Sequence, residues 1–176
     1  VLAPTSKDEY LSMLDWSVDQ REHPVMILIP GNQVTYREAD KDFDRLNHFK
    51  VEEAGEKVAI LALGDFYQRG EQLSAKIKTE LGFTPTLINP RFASGIDKEL
   101  LESLSERHQM VITMEDGILS GGFGEKIASF YGSSDMKVKN YGLEKKFYDR
   151  YDPNELLKEV GMTPVQIIAD ICNQIK

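Results

Sequence analysis

The sequence has one cysteine, three histidines and no long apolar run. The single Cys172 cannot form a disulfide within the chain, which excludes a fold held together by internal disulfides. The longest apolar stretches, such as residues 25–30 and 58–63, are about six residues long, whereas roughly 20 are needed to cross a bilayer. No basic segment followed by an apolar one opens the chain, so we expect a reducing, cytoplasmic setting and no membrane partner.

Basic residues are also scarce relative to acidic ones. Lys and Arg number 21 against 29 Asp and Glu, which gives a formal net charge of −8. No basic run is long enough to follow a phosphate backbone, so the composition argues against nucleic acid as a partner. The histidines His23, His48 and His108 lack metal-ligand spacing, and His23 and His108 are predicted to lie at helix ends.

The chain is long and apolar enough for one packed domain with an appendage, at 176 residues and 41% hydrophobic. From residue 57 onward short apolar strands alternate with amphipathic helices. This alternation predicts an α/β fold with three layers, α/β/α, around a mostly parallel sheet of about five strands. The predicted strands are 48–53 (an edge strand), 57–63, 85–88, 110–114 and 136–140. The predicted helices are 66–81, 97–107 and 121–131, followed by two that begin at Asp152-Pro153 and Thr163-Pro164 with a capping residue before a proline.

A helix and a strand precede this pattern. Ser6 and Glu9 form a capping box, and the helix is predicted to run to His23-Pro24. Its apolar positions are Tyr10, Leu11, Leu14 and Val18. Residues 25–29 are predicted to form an apolar strand. The chain starts at Val1 without Met, so we expect a fragment with residues 1–30 as a remnant of a preceding domain, 31–55 as a linker and 56–176 as the main domain.

One helix and one strand cannot bury their own apolar faces, and a lone strand leaves backbone groups unpaired. The remnant is therefore predicted to pack on the following domain or on a neighbouring copy. The residues predicted to make this contact are Leu11, Leu14, Val25, Ile27 and Ile29.

A strand ending in Glu115-Asp116 leads into a glycine-rich helix start, Gly121 to Gly124. Free amides at a helix start can hold phosphate, but neither a dinucleotide fingerprint nor a Walker lysine is present, and two acids repel an anion. Catalysis by the paired acids is also disfavoured, because adjacent strand residues point to opposite faces. We interpret the segment as a helix cap or a domain contact, with phosphate binding as the weaker alternative.

The residues by themselves display no complete active site. No Ser, His and Asp arrangement with a nucleophile elbow is present. Cys172 follows Ile168 and Ile171 on the last helix, and we interpret it as a buried core thiol rather than a nucleophile.

Three motifs nevertheless point to one family. They are Asn89-Pro90-Arg91-Phe92 with Asp97-Lys98-Glu99-Leu100, then Val111 to Asp116, then Gly121 to Gly124. Together they resemble the C-terminal domain of the transketolase-like thiamine-diphosphate enzymes, and most closely the 1-deoxy-D-xylulose-5-phosphate synthase family. Residues 3–9 and 23–27 resemble the last helix and strand of that family's pyrimidine-binding domain, and residues 141–161 resemble its tail.

The resemblance implies a parent transferase that uses thiamine diphosphate and Mg²⁺. Such enzymes decarboxylate pyruvate and join the two-carbon unit to glyceraldehyde 3-phosphate, which feeds isoprenoid and thiamine synthesis. Their Gly-Asp-Gly metal motif and activating glutamate lie upstream, so this segment is expected to bind no cofactor or metal, to hold no catalytic residue and to serve packing and homodimerisation. The positions that match family motifs are interpreted as structural or interface residues: Arg91, Asp97, Glu115, Asp116, Gly121, Gly122 and Gly124. Another transketolase-like enzyme and a stand-alone association module are the alternatives.

Two positions depart from the family pattern. Gly31 stands where the family has an arginine that binds the substrate phosphate, and Ser94-Gly95 replaces a Lys-Pro pair. A lost charge-assisted contact, worth about 1.5 to 3 kcal/mol, is expected to weaken phosphate recognition unless another cation such as Arg37 replaces it. Both departures leave the parent's phosphorylated substrate open.

Overall fold

The computed structural model describes residues 1–29, 35–41 and 43–175. Within these ranges the strands are β1 (Lys50–Glu53), β2 (Lys57–Ala62), β3 (Thr86–Asn89), β4 (His108–Ile118) and β5 (Lys137–Leu143). The helices are α1 (Lys7–Asp19), α2 (Tyr67–Leu81), α3 (Lys98–Leu104), α4 (Phe123–Tyr131), α5 (Pro153–Glu159) and α6 (Pro164–Gln174). Gly31, and with it the expectation about the missing arginine, lies outside the described residues.

The strands form one sheet in the order β1-β3-β2-β4-β5. β1 runs antiparallel to β3 at one edge, and every other pairing is parallel. The central strand β2 is buried along nearly its whole length, as expected for a strand covered on both faces. The predicted mostly parallel five-stranded sheet with an edge strand near residues 48–53 is confirmed.

Helices cover both faces of the sheet and create two cores. On one face Leu73 and Ile77 of α2 and Ile167 and Ile171 of α6 pack against β2 and β4. On the other face residues of α3 and α4, including Leu101 and Ile127, pack against the opposite sides of the same strands. The three-layer α/β/α prediction is therefore confirmed.

The local signals for the last two helices are confirmed atom by atom. The Asp152 carboxylate accepts hydrogen bonds from the amides of Asn154 and Glu155 at the start of α5. Thr163 and Gln166 form a capping box at the start of α6. Each helix has proline in its first turn, where the missing N–H costs nothing.

The N-terminal segment differs from its prediction in three ways. α1 ends at Asp19, so His23 lies beyond the helix and not at its end. The Ser6 side chain caps α1, but the Glu9 carboxylate turns to Thr5 and Asn89 instead of completing a capping box. Residues 25–29 form no continuous strand and make one parallel bridge, Leu2 to Ile27.

The face that α1 buries is also not the predicted one. Met13 is fully buried with Leu2, Phe43 and Phe92, and Trp16, Val25 and Ile27 pack against this cluster. Leu11, Leu14 and Ile29, three of the residues predicted to make contacts, are exposed within this chain. The apolar spacing identified an amphipathic helix, but α1 turns its other face to the domain.

Two further predictions differ from the structure. β4 continues past Glu115-Asp116, where the strand was predicted to end, to Ile118, which pairs with Leu143 of β5 beyond an irregularity in register. Cys172 is exposed. Each step along a helix turns the side chain by about 100°, so the position after the buried Ile171 faces outward.

Candidate functional site

Glu115 lies at the carboxyl end of β4, where ligands of open α/β sheets gather. The residue is 5% exposed, and its carboxylate accepts hydrogen bonds from the backbone amides of Phe123 at 2.9 Å and Gly124 at 2.8 Å. α4 has no side-chain cap from its own N-cap residue, Gly122. A carboxylate from the neighbouring strand therefore satisfies the free amides and the positive end of α4.

The glycine-rich loop has no free amide to offer a phosphate. Gly121 N–H donates to the Glu125 carboxylate at 2.8 Å, and Gly122 N–H donates to the Leu119 carbonyl at 3.0 Å. Glu115 holds the next two amides. The geometry disfavours the phosphate alternative, since all four backbone amides of residues 121–124 already have acceptors.

Two glycines of this loop are required by close approach. A Cβ on Gly122 would lie 2.7 Å from a Glu115 carboxylate oxygen, and one on Gly124 would lie 2.5 Å from the Thr113 hydroxyl oxygen. Any side chain there would push α4 away from β4. Gly121 has a φ of +77°, a backbone conformation that favours glycine. A Cβ at this position would have no atom within 4 Å, so space is not the constraint.

Asp116, the neighbour of Glu115, points outward into a cleft of about 500 Å³. The cleft separates Leu28 and Ile29 from the carboxyl ends of β2 and β4. Asp65 also lines it, and burial together with the Asp116 charge raises the pKa of Asp65, while Arg69 acts in the opposite direction. Glu115 lines the same cleft, but its carboxylate is bonded to the amides of α4, whereas Asp116 is exposed.

Arg91 follows β3 and is 4% exposed, with a φ of 59° that is rare for a residue with a side chain. Its guanidinium donates to the His48 carbonyl from both Nε and Nη2 and pairs with Asp40 at 3.2 Å. The guanidinium also lies over the Phe43 ring. Arg91 therefore fastens the segment before β1 onto the end of β3.

Asp97 joins the same segment to α3. One carboxylate oxygen accepts from the Leu100 amide as the helix cap, and the other lies 2.9 Å from His48 Nδ1 and accepts from the Phe49 amide. A buried carboxylate with three partners is an anchor for backbone and imidazole. Asp97 and Phe49 are 48 residues apart in the sequence, so the tertiary fold brings them together.

Arg37, named above as a possible replacement cation, is already paired. Its guanidinium lies 2.7 Å from the Glu71 carboxylate and over the ring of the buried Tyr67. Burial raises the pKa of the Tyr67 hydroxyl, with nearby Glu52 adding to the effect.

Sequence reasoning missed the link between α1 and β3. Glu9 and Asn89 are both buried and joined by a hydrogen bond of 2.9 Å. Asn89 belongs to the Asn-Pro-Arg-Phe motif, which was the available signal, but nothing in the sequence identified a partner 80 residues away.

Binding of Mg²⁺, the metal of the resembling family, requires several oxygen-bearing side chains close together. Within residues 1–29, 35–41 and 43–175 no group of three or more His, Cys, Asp or Glu side chains is placed to hold a metal ion. In the same ranges, no helix is both long and apolar enough to cross a membrane.

The fold and the motif residues can be compared with those of known protein families. Residues 47–167 match the family described as Transketolase, C-terminal domain. The chain belongs to this family. A split-gene transketolase, solved as an inactive β4 tetramer, superposes with a TM-score of 0.82 at 20% identity, covering 98% of this chain and 56% of that one.

Among curated proteins, the chain is similar to synthases of one kind. The chain is similar to the 1-deoxy-D-xylulose-5-phosphate synthase of Shouchella clausii, with 31% identity over 99% of this chain and 28% of the relative. The synthase of Lachnoclostridium phytofermentans is 28% identical over the same shares. The chain thus spans little more than a quarter of the length of the curated relatives that it matches.

Proposed function

We propose that this chain is the C-terminal part of a 1-deoxy-D-xylulose-5-phosphate synthase-like transferase. The parent would condense pyruvate with glyceraldehyde 3-phosphate, using thiamine diphosphate and Mg²⁺ held by its other domains, in the cytoplasm. The observation that carries the proposal is the match of 99% of this chain to synthases, at 31% identity in one of them.

The contribution of the segment itself is packing and dimerisation. The motif residues Glu115, Arg91 and Asp97 hold α4, the segment before β1 and α3 in place. Each of these side chains is occupied by backbone groups, which supports a structural role at these positions. Asp116 is the exposed member of the set and is proposed to contact another domain or chain.

The native open reading frame tests this proposal. Its product should form 1-deoxyxylulose 5-phosphate from the two substrates in the presence of thiamine diphosphate and Mg²⁺, whereas the 176-residue chain alone should form none. A product that binds the cofactor yet converts only other keto donors or aldehyde acceptors would contradict the synthase assignment and favour another transketolase-like enzyme.

A stand-alone association module is the second candidate, favoured by the assembly named for the split-gene relative. Light scattering separates it from a passive fragment. Self-association of the isolated chain with no increase in activity from any upstream polypeptide would support the module. A strict monomer at high concentration would count against both the module and a dimerisation role.

A further inference from the structure

The chain has three histidines, and the surroundings of the ring differ at each of them. Both ring nitrogens of His108 are occupied, since Nδ1 lies 2.9 Å from the Leu104 carbonyl and Nε2 lies 2.8 Å from the Thr86 hydroxyl. His23 is exposed, and its Nε2 lies 4.0 Å from the Glu22 carboxylate, which is exposed as well. A surface pair of this kind does little to fix a side chain. Neither ring is both fixed in orientation and open at one nitrogen.

His48 is held by its backbone and by its ring. Its carbonyl accepts hydrogen bonds from Nε and Nη2 of Arg91, at 3.1 and 2.8 Å. Its Nδ1 lies 2.9 Å from a carboxylate oxygen of Asp97, and the amide of the next residue, Phe49, donates to the same oxygen. These bonds fix the position of the imidazole and involve only one of its two nitrogens.

The Asp97 carboxylate determines which ring nitrogen carries the proton. Asp97 is buried, and its oxygens face the amides of Leu100 and Phe49 and the Nδ1 of His48. An ionised carboxylate can only accept hydrogen bonds, so the nitrogen that faces it donates. The neutral ring therefore carries its proton on Nδ1 and its lone pair on Nε2.

Nε2 of His48 is open to solvent. No described residue bonds to this atom, and 39% of the side chain is exposed. Within residues 1–29, 35–41 and 43–175 the buried side-chain nitrogen without a partner is Arg37 Nη1, so Nε2 of His48 is not sealed off. A small molecule can therefore reach the lone pair.

We propose that His48 Nε2 is a nucleophile that accepts the acyl group of a small aryl ester and passes it to water. Asp97 is the positioning residue, because it holds the tautomer and stays bonded to Nδ1 when the ring becomes cationic. Since the ring lies at the surface, the ester has to bring its own good leaving group. The inference goes beyond the proposed function and does not depend on it, because neither thiamine diphosphate nor another domain takes part.

The reaction has two steps. In the first, the lone pair of Nε2 forms a bond to the carbonyl carbon, and the bond from that carbon to the aryl oxygen breaks, so that an aryloxide leaves with the electron pair. In the second, water adds to the carbonyl carbon of the acylimidazolium, the carbon–nitrogen bond breaks and its electron pair returns to Nε2. The water protons pass to the solvent and the aryloxide, so the net reaction converts an ester and water to a carboxylic acid and a phenol.

Turnover of p-nitrophenyl acetate by the 176-residue chain at about pH 7 tests the proposal. Only nitrophenolate released after the amines of the protein have reacted is counted, because a lysine that takes up an acetyl group keeps it as a stable amide. His48→Asn retains an N–H donor near the position of Nδ1 but has no nucleophilic ring nitrogen. It should lower the turnover at least about tenfold. The matched control, His23→Asn at an exposed position, should lower it less than about twofold.

The role of Asp97 is tested separately by its effect on the tautomer. Nitrogen-15 spectra of the neutral His48 ring should show the proton on Nδ1 in the unaltered chain. In Asp97→Asn, which lacks the charged acceptor, a larger fraction should carry the proton on Nε2, and turnover should fall. A purely structural role would leave the tautomer unchanged. Circular dichroism verifies that each variant is folded, and if Asp97→Asn is not, the tautomer of the unaltered chain and the two histidine variants still decide.

Three results would overturn the proposal. One is equal turnover by the unaltered chain and His48→Asn. Another is a His48 ring that carries its proton on Nε2 in the unaltered chain. The third is the appearance of stable acetyl groups on lysines, found by mass spectrometry, without any turnover, which would reduce the reaction to modification of surface amines.

Discussion

The carboxylate of Glu9 in α1 accepts a hydrogen bond from the side-chain amide of Asn89 at the end of β3, at 2.9 Å. Asn89 in turn accepts from the backbone amide of Arg91. The first helix, the sheet and the turn after β3 thus share one buried polar network. The N-terminal segment is attached to the domain by specific bonds as well as by the cluster around Met13.

Asn89→Ala should loosen this attachment. The substitution leaves a buried Glu9 oxygen without its donor, which costs about 1 to 3 kcal/mol. We expect faster proteolysis within α1 and a lower midpoint of urea unfolding. The matched control is Asn154→Ala at an exposed position of α5, which should change stability by less than about 0.5 kcal/mol. Equal effects of both variants would show that the Glu9–Asn89 bond contributes nothing specific.

Glu115→Ala should destabilise the fold by about 2 to 3 kcal/mol, because two backbone amides at the start of α4 lose a charged acceptor. Glu115→Gln should cost less, since an amide oxygen still accepts one of the bonds. Urea unfolding measures both variants. Asp116→Asn is the neighbouring control and should not destabilise, because it removes the charge that raises the pKa of Asp65. A mild effect of Glu115→Ala would mean that the carboxylate is not the principal cap of α4.

Gly124→Ala should cost about 1 to 3 kcal/mol by overpacking, since the added Cβ would lie 2.5 Å from the Thr113 hydroxyl oxygen and 2.8 Å from the Asn140 side chain. Gly132→Ala is the control. Its added Cβ would make contacts of 3.4 Å or longer, and φ at this position is −57°, so thermal unfolding should show a neutral or slightly stabilising change. Similar losses in both variants would contradict the close approach of α4 to β4.

His108 predicts a pH dependence of stability. Burial lowers its pKa, the bond to the Leu104 carbonyl raises it, Arg107 lowers it and Glu56 raises it, with a net lowering. Nδ1 faces that carbonyl and so carries the proton, which leaves Nε2 to accept from the Thr86 hydroxyl at 2.8 Å.

The unfolded chain therefore binds a proton on His108 at a higher pH than the folded chain does. The free energy of unfolding should fall as pH decreases from about 6.5, the unfolded pKa, towards the lowered folded value, and this contribution should level off below it. His108→Gln removes the contribution, while the carboxylates common to both proteins cancel in the comparison. Identical pH profiles for the two proteins between pH 7 and 5 would refute a neutral, half-buried imidazole at His108.

The sheet and its helices were predictable because their signals are local. Short apolar strands alternated with amphipathic helices, and Asp152 and Thr163 marked helix starts by themselves. The carboxyl end of β4 was not predictable in the same way. The strand was predicted to end at its two acids, whereas the pairing of Ile118 with Leu143 of the neighbouring strand extends it to residue 118.

The contacts of the motif residues could not be predicted from the sequence, because their partners are distant along the chain. Arg91 and Asp97 could be identified by family resemblance, but their partners Asp40 and His48 come from a polar segment without periodicity. For α1 the spacing of Leu11, Leu14 and Val18 revealed an apolar face and not what covers it. That face is exposed within this chain.

A chimera tests the central claim most directly. The matched 28% of the Shouchella clausii synthase is replaced by this chain, and the formation of 1-deoxyxylulose 5-phosphate is compared with that of the relative lacking the segment altogether. If this chain is the C-terminal part of a synthase, the chimera should be active well above the truncated enzyme, at least about tenfold in kcat/KM. A folded chimera that loads thiamine diphosphate yet is no more active than the truncated enzyme would contradict the account.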